Sequence, residues 1–155
     1  MLTFLTIVTI LISCALESEF SLENNRLIDK NLIGTWFLNK SGEGIVFKEN
    51  KGNTFSVTAI DDKNHTDIVS NNSFTSTIKD HKLINLVGKN ENENTINGFY
   101  EYRLDNGKLN FRAVNSDYSE RPITSQEELL EYFNKNIDKK GFFEEWGKTP
   151  FYKKK

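Results

Sequence analysis

The 155-residue sequence has one cysteine, two prolines and one methionine. A single cysteine rules out an intrachain disulfide framework and a Cys-x-x-Cys metal site, so the fold has to hold by its core alone. Two prolines among nine glycines leave no low-complexity linker. Lys+Arg 20 against Asp+Glu 22 gives no global basic field, and nucleic acid is not an expected partner. No apolar run reaches the roughly 20 residues of a membrane-spanning helix. Two histidines, His65 and His81, lack partners at metal-ligand spacing and read as solvated loop residues, so neither a metal nor a cofactor is expected. The oxygen-rich stretch Asp61 to Asp67 also fails as a calcium loop, because Asp67 and Ser73 stand where Gly and Glu are required.

What the chain has is aromatic and β-prone. Twelve Phe, five Tyr and two Trp, with 37% hydrophobic and 27% charged residues, suit a single domain built around a pleated sheet. Between residues 32 and 115 short apolar or alternating runs follow one another, at 33–39, 43–49, 53–60, 66–71, 73–79, 82–88, 96–104 and 108–115, divided by turn residues. Asn106-Gly107 is the strongest hairpin signal, since both residues tolerate the positive φ of a tight primed turn. Period-2 alternation sets Phe55, Val57 and Ala59 against Thr54, Ser56 and Thr58, and Leu109, Phe111 and Ala113 against Asn110, Arg112 and Val114. Tyr100, Tyr102 and Leu104 read as an inward face, with Glu101 and Arg103 outside. About eight such strands predict an antiparallel meander that closes into a barrel or folds into a sandwich.

The period then lengthens. Thr124 and Glu127 form a capping-box pattern, and Leu129, Phe133 and Ile137 make one apolar stripe. The spacing predicts a single helix over about 124–140, with Gly141 as its cap. Phe142, Phe143, Trp146, Phe151 and Tyr152 supply a terminal packing segment with room for one more strand near 149–153, and the closing lysines read as a frayed end.

At the other end, Leu2 to Ile12 is apolar but for threonine, the length of a signal-peptide core. It stops at Leu11-Ile12-Ser13-Cys14, which resembles the lipobox of bacterial lipoproteins. The resemblance implies that residues 1–13 are removed, that the Cys14 thiol carries a diacylglycerol, and that residues 14–31 are a tether to a domain spanning 32–155. A plain secretory signal cut after Ala15, or an uncleaved terminus with a buried thiol, are the competing readings. Gly34-Thr35-Trp36 resembles the G-x-W signature of lipocalins and lipocalin-like bacterial lipoproteins. It implies that Gly34 and Trp36 close one barrel end and that a late-strand arginine, here Arg112, lies over the Trp36 ring.

Together these readings describe a lipid-anchored, monomeric protein of the cell envelope, on the periplasmic face or the cell surface, that binds rather than catalyses: no catalytic set is visible. Its partners would be the membrane, through Cys14, and either a small apolar molecule inside the barrel or an envelope protein on a barrel already filled by its own aromatics.

Overall fold

The computed structural model describes residues 15–38, 42–118 and 121–154. Nine strands form one antiparallel sheet: β1 (Glu17–Ser18), β2 (Gly34–Phe37), β3 (Gly44–Glu49), β4 (Phe55–Ile60), β5 (Thr66–Ile78), β6 (His81–Lys89), β7 (Thr95–Asp105), β8 (Lys108–Ala113) and β9 (Phe151–Lys153). Strands β2 to β8 follow one another as a meander, and β9 pairs with both β8 and β2, so β2 to β9 close into an eight-stranded barrel. One helix, α1 (Gln126–Asn136), packs against it. Mainly β with a closed barrel and one carboxy-terminal helix is the architecture that the strand pattern and the lipocalin resemblance lead one to expect.

Alternation decides which side chains go inside. Phe47 pairs with Val57, and Ile45 sits between Trp36 and Ala59 across three strands. Trp36, Ile45, Phe47 and Val57 join Phe55, Ile84, Tyr102 and Leu109 in one packed interior cluster. Full burial of each such side chain contributes about 1.5–3 kcal/mol. Asn106 and Gly107, at φ 46° and 75°, make the tight β7–β8 turn that their sequence announces. The runs 66–71 and 73–79 are one strand, β5, because the Asn71-Asn72 break is absorbed by shifts in its register with β4 rather than by a turn. The next turn falls on Lys79-Asp80, so His81 opens β6 instead of lying in a loop.

On the outer surface, Leu83 and Phe99 meet Leu129, Phe133 and Ile137 of α1. The rings of Phe99 and Phe133 stand edge to face at 5.2 Å. The helix is shorter than its apolar stripe. Its N-cap is Ser125, whose hydroxyl accepts from the Glu128 amide at 3.1 Å, while Thr124 donates through its amide and hydroxyl to the Glu128 carboxylate. The capping box thus runs one residue later than the Thr124–Glu127 reading. The helix stops at Asn136, with Ile137 as C-cap, and Lys139 N donates to Asn136 O as the chain turns toward the barrel. The three residues from Asp138 to Lys140, counted as helix by pattern, lie in this turn.

The segment 15–31 is a correction to the expected tether. Ala15, Leu16, Leu22 and Ile28 are buried, and β1 pairs with β7. A buried amide ladder fixes it: Leu22 N donates to Asn85 Oδ1 at 3.0 Å, Asn85 Nδ2 to Asn97 Oδ1 at 2.8 Å, and Asn97 Nδ2 to Ser18 O at 3.2 Å. Apolar residues spaced irregularly among charges give no period, yet Ala15, Leu16, Leu22 and Ile28 each have a seat on the barrel, while Leu27 stays exposed.

Candidate functional site

The G-x-W stretch is structural. Gly34 has φ 131°, and a Cβ there would meet the Lys153 side chain at 3.0 Å. Trp36, 1% exposed, donates from Nε1 to Leu32 O at 2.7 Å and packs with Ile28 and Leu32 across one barrel end. The cation over its ring is Lys153, whose Nζ lies 5.3 Å from the ring centroid and donates to Asn31 O at 2.8 Å. The expected Arg112 stack is therefore corrected. Phe111 packs on the interior cluster and Ala113 on Tyr100, so Arg112, between them on β8, points out. There its guanidinium lies 4.3 Å from the Phe143 ring and 4.5 Å from Trp146, and Arg103 covers the Trp146 ring at the same distance.

Arg112 belongs to a polar clamp under the end of α1. Its Nε donates to Glu101 Oε2, and Glu101 Oε1 is 2.6 Å from His81 Nδ1. His81 Nε2 is 3.1 Å from Asp138 Oδ1, and Lys79 bonds the other oxygen of Asp138. Hydrogen bonds from Lys79 and then His81 hold the Asp138 carboxyl below its ordinary range. His81 is thus tied into β6, β7 and the helix end, contrary to its reading as a solvated loop histidine. The open cleft here, about 460 Å³, is lined by groups of both signs, among them Lys139, Lys140, Glu144 and Glu145. No Ser, Thr or Cys lines it among the described residues. His65 keeps to its loop, bonded to Asp61 at 2.9 Å. Among the described residues no group of three or more His, Cys, Asp and Glu could hold a metal.

An apolar pocket lies at the barrel end opposite Trp36. Tyr100, Phe111 and Ala113 from β7 and β8, Leu38 after β2 and Phe151 of β9 line about 290 Å³ with apolar surface, and Arg112, Glu144, Glu145, Lys148 and Thr149 also border it. Beyond Phe151 the chain lies along β8: the Gly147 and Glu144 amides donate to Phe111 O and Ala113 O, and Phe143 and Trp146 lie under the Arg112 guanidinium. A search for inward aromatics finds Tyr100 and Phe111, but the part that residues 144–149 take in the border follows from where β9 ends, which no local pattern marks. Cys14 lies outside the described residues. No helix among them is long and apolar enough to cross a membrane. Comparisons with protein families, with curated proteins and with solved structures find no match to this chain.

Proposed function

We propose that this chain is a lipoprotein of the bacterial envelope, acylated on Cys14, whose barrel is a binding module for a small apolar molecule. The supporting observation is the pocket of about 290 Å³ whose apolar wall is formed by Tyr100, Phe111, Ala113, Leu38 and Phe151, with Arg112, Glu144, Glu145, Lys148 and Thr149 on its remaining border. Ligand pockets span about 300–1,000 Å³. This one takes a short aliphatic or single-ring ligand, not a large lipocalin cargo. Trp36, Phe47, Phe55 and Tyr102 pack against one another across the opposite half of the barrel, which directs binding to this end. The same packing supports a second reading, a filled barrel whose pocket receives an apolar side chain of an envelope protein.

Decanol, titrated into the protein by calorimetry, is the test. Ala113 is 7% exposed and borders the pocket. Ala113→Phe is expected to fill the space and weaken binding at least about tenfold, or about 1.4 kcal/mol, with the fold intact by circular dichroism. Saturable binding that Ala113→Phe leaves unchanged, or no binding by the native protein, rejects the small-ligand reading.

A further inference from the structure

Strands β5 and β6 separate at one end of the barrel. From Phe74 to Ile78, β5 pairs with β6, whose partners run from Asn85 back to His81. The first part of β5, Thr66 to Ser73, pairs with β4 alone, and the register shifts in this stretch bend the strand. Leu86 to Lys89 of β6 likewise pair with β7 alone. Val87 N reaches across to the Ser73 hydroxyl at 3.3 Å, a side-chain contact where a ladder bond would otherwise continue. Asn71 O is taken by Asn50 Nδ2 at 2.6 Å. From Thr66 to Ser70, among the described residues, no strand pairs with the edge of β5 that lies opposite β4.

An open edge is a template for a further strand, and folded proteins blunt such edges with lysine, proline or very short strands. This one carries none of these devices. Thr66, Ile68 and Val69 are β-branched and suit an extended backbone, and Asp67 is the one charge. Ile68, opposite Thr58, is 62% exposed and offers an apolar contact beside the edge. Five residues of strand give about 16 Å of unpaired backbone.

The charge around the edge has one sign. Because β5 and β6 are antiparallel, the β4–β5 and β6–β7 connections lie at the same end of the barrel. Three carboxylates and one lysine fall between Asp61 and Asp67, and two carboxylates and one lysine between Lys89 and Asn94. Asp61 is bonded to His65, while Asp62, Asp67, Glu91 and Glu93 are exposed. Pairing of two copies of this chain through the edge would bring these carboxylates together, so a second copy is a poor occupant.

We propose that the β5 edge from Thr66 to Ser70 is a docking site for an extended, positively charged segment of another protein, which adds to the sheet beside β5. Main-chain hydrogen bonds supply the affinity, and the surrounding carboxylates select the partner. The site depends neither on the apolar pocket nor on Cys14.

The probe is a short end-blocked peptide in which valine alternates with lysine and threonine, titrated into the full, nitrogen-15-labelled chain at low salt. Shifts in the amide signals of residues 66–70, with their hydrogen exchange slowed at least about tenfold, are expected. The same peptide with glutamate for lysine, or with proline for threonine, should bind several-fold more weakly or not at all, and added salt should weaken the original. Asp67→Lys, at an exposed position, should weaken binding several-fold with the circular dichroism spectrum unchanged. No binding of the lysine peptide, equal binding of either control peptide, or shifts confined to other strands overturns the proposal. Self-association of the native chain that protects residues 66–70 without peptide would overturn it too, by making a second copy the occupant.

Discussion

Trp36 and Arg112 show how a single side chain is placed by strand parity before any likeness matters. Arg112 alternates with Phe111 and Ala113, and that pattern alone puts it outside the barrel; the family resemblance put it over Trp36. Lys153 covers the ring instead, a residue that a terminal run of lysines hides. The two cations differ in what they hold. Glu101 is 8% exposed and has Arg112 as its cationic partner in the barrel wall. Arg112→Ala should therefore cost about 1.5–3 kcal/mol, the worth of a charge-assisted hydrogen bond. Lys153→Ala removes a cation–π contact of about 0.5–1 kcal/mol. Urea unfolding of the two variants checks the order, and a larger loss at Lys153 would contradict it. In the helix interface, Phe133 is fully buried between Phe99 and Phe142. Phe133→Ala should cost about 3–5 kcal/mol by the same measurement.

At the scale of elements, the strands were legible to within a few residues because each carries one apolar and one polar face. Phe55, Val57 and Ala59 are buried as alternation requires. Boundaries were less legible where a choice between neighbours was decided by tertiary contacts. Thr124 and Ser125 are both good caps by composition; Ser125 holds the position, and Thr124 secures Glu128 from the side. Ser125→Ala is expected to cost about 1 kcal/mol and Thr124→Ala less, measured by thermal unfolding. The segment 15–31 was illegible for a different reason. Its buried residues are spaced by the geometry of other strands, and the partners of its backbone, Asn85 and Asn97, are polar residues on β6 and β7 that a core search passes over. Strand β9 spans three residues, yet it closes the seam between β2 and β8. Ending the chain after Pro150 leaves both edges unpaired, and a lower melting temperature with self-association is expected in size-exclusion chromatography.

For the whole molecule, titration reports how the barrel and helix are joined. Burial pushes the Tyr102 hydroxyl up to about 12, and burial followed by the neighbouring Tyr118 does the same for Tyr132. A raised acid group favours the fold fully below its unfolded value near 10, and that contribution is lost as pH rises toward 12. Alkaline unfolding within this window, with both tyrosines ionising late at 295 nm, is expected; Tyr102→Phe should retain more of its stability above pH 10 than the native chain. On the acid side the signs reverse. Hydrogen bonds from the Thr124 amide and hydroxyl lower Glu128, and those from Lys79 and His81 lower Asp138. Both contribute stability above the ordinary carboxylate range that disappears as pH falls through their depressed values.

The barrel packs its own amino-terminal segment from Ala15 onward, so the acylation of Cys14 proposed above would hold the lipid close to the domain. The most direct measurement is the intact mass of the untagged protein extracted from the membranes of bacterial cells that express it. A chain that begins at Cys14 and carries acyl groups is the predicted result; a full-length, unmodified chain found in the soluble fraction would contradict it.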